Sequence, residues 1–233
     1  MPNEEEIPSG VNYNRLKKQE ILWLYNHHCK HGHRYSEHPT CFAEEHGDQV
    51  AAEKIGFIDI ETTGLQAQFG YIFCFSLKEL DGEIVHRSIT SQEIRSYKFD
   101  KGVIQDFLKA IKGYDKLIGY YPKDYRFDIP FLRTRALKWG LNFPGWKDIL
   151  FTDVYDLVKS KLKLNRNRME VACEMLGILS KQHRLNPEVW QRGQAGDQKS
   201  LAWIQKHCDE DVISLEQLYK RLKDFGRPYK SSI

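Results

Sequence analysis

The stretch IGFIDIETTG, residues 55–64, has the apolar pattern of a buried strand but carries two acidic side chains near its end. A strand alternates its faces with period two, so Asp59 and Glu61 point the same way, opposite to Ile58 and Ile60. Like charges on one face repel, and burying carboxylates is costly without a compensating cation. Two interpretations are open from this stretch alone: a shared metal site, or the exposed end of a strand.

Beyond this first strand, the hydrophobic periodicity predicts alternating strands and helices. Strands are expected at 55–61, 70–77, 83–89, 116–121 and 149–153. Helices are expected at 101–112, 128–138, 154–163, 168–176, 198–206 and 209–224. The turn-like sequence ELDG joins the second and third strands into a hairpin. Antiparallel strands followed by alternating strand and helix predict an α/β fold with a mixed β-sheet and helices on both faces.

The composition is that of a soluble globular protein, with 41% hydrophobic and 29% charged residues in a chain of 233. No apolar run approaches the roughly 20 residues that a membrane span needs. The acidic N-terminus, MPNEEEIPSG, lacks the apolar core of a signal peptide, which predicts a cytoplasmic location. The five cysteines include no CxxC pair, so a reducing compartment is favoured over a disulfide framework.

The net charge of +3 permits binding to nucleic acid without requiring it. Basic residues concentrate in KSKLKLNRNR, residues 159–168, where a phosphate backbone could lie. A solvated loop between helices explains the same segment equally well.

Two further acids and one histidine lie beside predicted buried faces. Asp128 lies in YRFDIPFL, at the start of a predicted helix that follows a strand. Asp211 lies in HCDEDVISLEQLY, next to an apolar helical stripe. His207 precedes Asp211 by one helical turn, so the two side chains share a face.

The segments FIDIETTGL, GYYPKDYRFDIPFL and HCDEDVISLEQLY resemble, in order and spacing, the three motifs of the DEDD-type (DnaQ-like) 3′→5′ exonucleases. These enzymes belong to the ribonuclease H-like superfamily, which includes proofreading exonucleases. The resemblance covers roughly residues 55–224. It implies a ribonuclease H-like sheet and hydrolysis of phosphodiester bonds at the 3′ ends of single-stranded DNA or RNA.

The resemblance also implies a two-metal site, in which two divalent ions clamp the scissile phosphate. Asp59 is expected to bridge both ions. Glu61 and Asp211 are expected to bind the ion that activates water, and Asp128 to support the second ion. Oxygen ligands suit Mg²⁺ or Mn²⁺.

His207 is the expected general base, because an unperturbed imidazole titrates near neutral pH. The sequence departs from the family here: His207 lies four residues before Asp211, which is the spacing of the tyrosine branch, whereas the histidine branch uses five. The resemblance further implies contacts to the terminal nucleotide. The substrate-binding candidates are Thr62, Thr63, Leu65 and Tyr125.

Two other functions are compatible with these motifs. The unusual histidine spacing fits a catalytically inactive nucleic-acid-binding or scaffold protein, although such a protein would have little reason to keep four mutually repelling acids. The same metal site could also serve an endonuclease. Any proofreading role implies a partner, such as a replication or repair complex, because no polymerase-sized domain is visible in the sequence.

A second cluster precedes the sheet, where six of the nine histidines and two of the five cysteines fall between residues 27 and 46. Zinc prefers four nitrogen or sulfur ligands, usually as two short-spaced pairs. We predict a structural zinc site at Cys29, His33, His38 and Cys41, with His31 as the alternative to His33. About forty residues with few aliphatic side chains would need such a metal to fold.

The sequence therefore predicts three regions. Residues 1–11 are expected to be disordered. Residues 12–50 are expected to form a helix, over 13–28, and the zinc-binding segment, and residues 51–228 to form the exonuclease domain.

Overall fold

The computed structural model of the protein describes residues 18–46, 54–121, 127–145, 148–179 and 185–226. The predicted disorder of residues 1–11 and the candidate Tyr125 lie outside these residues. The chain divides into two compact units: residues 1–53 with 146–148, and residues 54–145 with 149–233. They are called the N-terminal and C-terminal units below. The domain boundaries given above stay predictions.

The C-terminal unit contains one five-stranded sheet. Its strands are β1 (Ile55–Thr62), β2 (Ile72–Glu79), β3 (Ile84–Ser88), β4 (Lys116–Gly119) and β5 (Leu150–Asp153). The strand order is β3-β2-β1-β4-β5; β1, β2 and β3 pair antiparallel, whereas β4 and β5 run parallel to β1. The predicted mixed sheet is confirmed, and each predicted strand is found within a few residues of its expected place.

The helices of the C-terminal unit follow the sheet in chain order. They are α3 (Ser91–Arg95), α4 (Lys101–Ala110), α5 (Asp128–Lys138), α6 (Val154–Lys161), α7 (Met169–Met175), α8 (Pro187–Gln194) and α9 (Gln198–Leu222), followed by a 3-10 turn (Lys223–Phe225). The N-terminal unit contains α1 (Lys18–Asn26) and α2 (Pro39–Glu45). The sequence did not predict α2, α3 or α8, which are all short.

Two hydrophobic clusters pack against the sheet, and helix α9 contributes residues to both. Ile58 and Ile60 of β1 pack in one cluster with residues of α4 and α5, including Phe107 and Leu132. Phe57, whose side chain points the opposite way along β1, packs in the other cluster with residues of α6, α7 and α9, including Val212. The alternation of β1 therefore places its acidic residues on the face that α9 covers.

Helix α9 corrects one prediction, because the two helices expected at 198–206 and 209–224 form one continuous helix of 25 residues. No glycine or proline interrupts this segment. Ile204, Cys208 and Val212 are fully buried at intervals of four residues, so one apolar stripe runs through the expected break. The continuous helix fixes the direction of every side chain in the third motif.

Candidate active site

Strand β1 and helix α9 bring the first and third motifs together. Asp59 lies opposite Ser76 of β2, and Glu61 lies opposite Cys74, so these cross-strand neighbours share the face that α9 covers. The Cys208 thiol of α9 donates a hydrogen bond to the Asp59 carbonyl oxygen at 3.4 Å. This contact joins the middle of α9 to the strand that carries the two carboxylates.

Glu61, His207 and Asp211 form the centre of the site. The Nε2 atom of His207 is 3.7 Å from Glu61 Oε1 and 3.7 Å from Asp211 Oδ2. One ligand atom from each of the three residues lies within 4.8 Å of the others. His207 and Asp211 are buried, and Glu61 is half-buried. Two carboxylates and an imidazole at these separations can share one divalent cation.

Asp128 is buried at the first residue of α5 and interacts electrostatically with Asp59. Burial raises the pKa of Asp128 well above its ordinary value, and the charges of Asp59 and Asp153 raise it further. Burial and the neighbouring negative charges both make ionisation of this carboxyl group unfavourable. A bound cation offsets the loss of hydration and the repulsion. The charges of Asp59 and Asp128 repel each other. Together with Glu61 and Asp211 they provide four carboxylates, a set of oxygen donors that fits hard divalent ions such as Mg²⁺ or Mn²⁺.

Of the predicted substrate-binding residues, three line or support the turn after β1. The Thr62 hydroxyl donates to the Gly64 carbonyl at 2.8 Å, and Thr63 Oγ1 accepts a hydrogen bond from the Tyr71 N–H at 3.0 Å. Leu65 is 83% exposed. A cleft of about 450 Å³ opens here, lined by Thr63, Gly64, Leu65, Gln66, Phe69, Gly70, Tyr71 and Gln194. The exposed apolar side chains could contact a nucleotide base.

A second cleft, of about 490 Å³, reaches Asp59 from another side. Its lining residues are Asp59, Tyr120, Tyr121, Tyr155, Asn167, Arg168, Met169 and Glu170. The rings of Tyr121 and Tyr155 meet edge to face at 4.5 Å, and Tyr121 is 42% exposed. Arg168 ends the basic segment 159–168, for which the sequence left both a phosphate contact and a solvated loop open. Aromatic faces beside a cation are suited to a single nucleic-acid strand.

Asp153 holds the Tyr121 end of this cleft in place. It is the N-cap of α6, and its Oδ1 atom accepts hydrogen bonds from the N–H groups of Tyr155 at 2.9 Å and Tyr121 at 3.0 Å. Tyr121 has a φ of 78°, a backbone conformation that side-chain-bearing residues rarely adopt. A capping carboxylate therefore supports a strained residue beside the site.

The structure also separates two neighbouring acids of α9. Asp209 accepts hydrogen bonds from Ser76 at 2.6 Å, Gln205 at 3.0 Å and His86 at 2.9 Å. These partners direct the Asp209 carboxylate toward β2 and β3, whereas Asp211 lies beside Glu61 and His207. Asp209 is thus a structural carboxylate on the same helix, and no spacing signal in the sequence identified its partners.

A buried ion pair, which the sequence analysis did not predict, stabilises the approach to the first cleft. Asp100 and Arg135 have 0% and 2% of their side chains exposed and meet through two bonds of 2.7 Å. Asp100 also accepts from the Ile72 N–H at 3.0 Å and from Trp139 at 2.8 Å. Arg135 donates to the carbonyl of Ala67 at 3.2 Å. The pair joins α4, α5, the start of β2 and the cleft loop.

Comparison with known protein families identifies the C-terminal unit. Residues 56–223 match the model of RNase_H_2, which is described as RNase_H superfamily. The chain belongs to the RNase_H superfamily. The matched region contains β1 from its second residue and the whole of α5 and α9, and hence all three motifs with their four carboxylates and His207. Membership of this superfamily agrees with the mixed sheet and its two helical layers.

Individual relatives of this RNase_H superfamily chain include polymerases and a nuclease. It is 27% identical over 174 residues to DNA polymerase 2 of Aeropyrum pernix, a match that covers 66% of this chain but 21% of the polymerase. Its fold is similar to the family B DNA polymerase of Pyrobaculum calidifontis, with a TM-score of 0.60, 18% identity, and coverage of 76% of this chain and 25% of that one. The chain therefore spans about a fifth to a quarter of these polymerases.

The fold also resembles a product-bound exonuclease I, with a TM-score of 0.52 and 13% identity over 75% of this chain and 46% of that one. At such identities the likeness concerns the fold alone. In the part of the chain that the structure describes, no helix is long and apolar enough to cross a membrane.

Proposed function

We propose that the C-terminal unit is a metal-dependent 3′→5′ exonuclease that hydrolyses phosphodiester bonds at the ends of single-stranded nucleic acid. The observation that carries this proposal is the convergence of Glu61, His207 and Asp211, whose ligand atoms lie within 4.8 Å of one another. The electrostatic interaction of Asp128 with Asp59 adds the remaining carboxylates. Membership of the RNase_H superfamily supports the same function.

In this proposal, four carboxylates would hold two divalent ions, Mg²⁺ or Mn²⁺, which would supply charge stabilisation for the attacking and leaving oxygens. Asp59 would contribute to both ion positions, Glu61 and Asp211 would provide oxygen ligands for one, and Asp128 would provide them for the other. The His207 Nε2 atom lies between two carboxylates and accepts the proton of the attacking water. Burial of His207 and Asp211 excludes bulk water from these groups, which strengthens their interaction with a bound phosphate.

The two clefts provide the substrate path. The single-stranded nucleic acid lies along Tyr121, Tyr155 and Arg168. Its bases stack on the aromatic rings, and the guanidinium group of Arg168 neutralises a phosphate. The terminal nucleotide contacts the turn of Thr62, Thr63 and Leu65. The stacking partners are sequence-tolerant, because every base offers an aromatic face. Both DNA and RNA fit this description. Tyr125 remains a candidate for further stacking.

The test is degradation of single-stranded DNA and RNA that carry a label at either end, with Mg²⁺, with Mn²⁺ and with chelator. We expect metal-dependent shortening from the 3′ end, and we expect Asp59→Ala and Asp211→Asn to abolish it because each removes a metal ligand. The matched control is Asp209→Asn, which removes an acid from the same helix outside the site.

The outcomes separate the alternatives. Internal cleavage products would favour an endonuclease of the same superfamily. Binding of labelled strands by folded protein without hydrolysis in either metal would favour a nucleic-acid-binding or scaffold protein. Equal loss of activity in Asp209→Asn and Asp211→Asn would contradict the assignment of Asp211 as the ligand.

A further inference from the structure

The N-terminal unit contains a cluster of two thiols and three imidazoles that the nuclease function does not use. His31 Nδ1 is 3.3 Å from the Cys41 sulfur and 4.0 Å from the Cys29 sulfur. His38 Nδ1 is 2.9 Å from the Cys41 sulfur, and His33 Nδ1 is 4.0 Å from the Cys29 sulfur. Both cysteines are buried, whereas the three histidines are exposed.

These separations fit a tetrahedral metal site. Zinc holds sulfur at about 2.3 Å and nitrogen at about 2.0 Å, so a tetrahedral pair of sulfur and nitrogen ligands is about 3.5 Å apart. The four measured distances, from 2.9 to 4.0 Å, bracket that value. The two thiols are also neighbours, because the sulfur atoms of Cys29 and Cys41 lie within 4.8 Å of each other.

The backbone presents the ligands as two short pairs. Cys29 and His31 lie in a tight turn, where the Gly32 N–H donates to the Cys29 carbonyl at 2.8 Å and Gly32 adopts a φ of 81°. Glycine suits this left-handed conformation because it has no Cβ. His38 and Cys41 lie at the start of α2, where the Cys41 N–H donates to the His38 carbonyl at 3.1 Å.

Glu45 holds the two pairs together. Its carboxylate accepts hydrogen bonds from the Lys30 N–H at 2.9 Å, within the turn, and from the Tyr35 hydroxyl at 2.6 Å. Glu45 ends α2, the helix that carries Cys41. These hydrogen bonds fix the turn relative to the helix, and they involve none of the candidate metal ligands.

We propose that Cys29, His31, His38 and Cys41 bind a structural zinc ion. Among the described residues, Cys29, His31 and Cys41 place ligand atoms within 4.8 Å of one another, so the structure favours His31 over His33, the first choice from the sequence. His38 completes the tetrahedron because its Nδ1 atom lies 2.9 Å from the Cys41 sulfur. The His33 ring lies beside that of His38, tilted by 31° with the ring centroids 4.7 Å apart, and its Nδ1 atom is 4.0 Å from the Cys29 sulfur.

Zinc binding explains how so small a core is stable. The cluster of buried apolar residues in this unit consists of Leu24, Cys29, Tyr35, Cys41 and Phe42. Units below about 70–80 residues rarely obtain enough stability from one apolar core and often add a metal or disulfides. Two of these five core residues are proposed ligands, so the metal and the core form one structure.

The direct test is the metal content of the full chain, made in the Asp211→Asn background so that metal at the nuclease site contributes less. We expect zinc in a one-to-one ratio with protein after dialysis against chelator. Replacement by Co²⁺ should produce the visible bands of tetrahedral cobalt together with a thiolate charge-transfer band. This measurement needs no ligand variant and therefore does not depend on whether such a variant folds.

Variants then identify the ligands. We expect Cys29→Ser and Cys41→Ser to lose zinc and the charge-transfer band, whereas Cys173→Ser, at a buried cysteine of the C-terminal unit, retains both. His31→Ala should weaken zinc binding by more than about 100-fold and His33→Ala by less than about 10-fold, since a ligand matters more than its neighbour. His28→Ala is the control for the loss of an exposed histidine.

Three results would overturn the proposal. The first is the absence of zinc from folded protein purified from zinc-supplemented cells, without a thiolate band on addition of Co²⁺. The second is zinc content that is unchanged in Cys29→Ser and Cys41→Ser. The third is a disulfide between Cys29 and Cys41 found by mass spectrometry of protein trapped without reductant.

Discussion

The two ligand clusters of this protein are assembled in opposite ways. The cysteine and histidine cluster draws its candidate ligands from residues 29–41, in a unit whose described residues include an apolar core of five buried side chains. The carboxylate site draws its residues from positions 59 to 211, in a unit whose sheet packs against two larger hydrophobic clusters. This comparison agrees with the proposal that a metal stabilises the first cluster, whereas larger hydrophobic clusters position the residues of the second.

The largest expected effect on stability concerns the core that holds the carboxylate site. Asp100→Ala leaves the buried Arg135 guanidinium without its ion-pair partner, which typically costs about 3–5 kcal/mol. We expect denaturant unfolding of the C-terminal unit to show this loss, while the zinc content of the chain stays unchanged. A parallel loss of zinc would show that the two units depend on each other and would weaken the comparison.

The next largest effect concerns hydrolysis, and it tests whether His207 acts as a general base, unlike the histidines of the N-terminal unit that we propose as metal ligands. His207→Gln should slow hydrolysis by about 10²-fold or more if His207 is the general base, with little change in unfolding free energy. The control is His86→Gln, which alters an exposed histidine that hydrogen-bonds to Asp209. Recovery of the rate at high Mn²⁺ concentration would instead assign His207 as a metal ligand, like the proposed ligands of the N-terminal unit.

The smallest effect is a pH dependence at the far end of α9. Burial alone would raise the pKa of Glu216, but hydrogen bonds from the Asp81 N–H and from Lys220 and Lys78 outweigh it and hold the pKa below its ordinary value. A lowered folded-state pKa contributes stability above the unfolded-state pKa, about 4.3 for glutamate, and loses it as the pH falls through the folded value.

Glu216→Gln should therefore be less stable than the original protein at neutral pH, and the difference should shrink as the pH falls below about 4.3. The measurement is denaturant unfolding at a series of pH values. A difference that stays constant over this acidic range would mean that the Glu216 charge does not contribute. The change should leave zinc content unaltered, since Glu216 lies in the C-terminal unit.

Much of the fold was predictable because its signals are local. Strand β1 and helix α5 begin and end within one residue of their predicted bounds. The alternation of side chains that predicts β1 lies within that strand, and the apolar run after Asp128 that predicts α5 lies within that helix. Helix α8 was missed although Asn186 and Pro187 form a recognisable start, with Asn186 accepting from the Val189 N–H at 2.8 Å. A short helix with few buried residues gives little periodic signal.

The amino-acid sequence by itself was sufficient to predict the mixed sheet, the acidic residues of the three motifs and the dense group of cysteines and histidines. The periodicity of each strand and helix, and the spacing of residues in each motif, are contained in short segments of the chain. Only the tertiary structure decided that Asp209 contacts Ser76 and that Asp100 pairs with Arg135. The physical reason is that these partners lie far apart in the chain, so burial and packing select them. Local propensity cannot specify which distant side chain meets a buried charge.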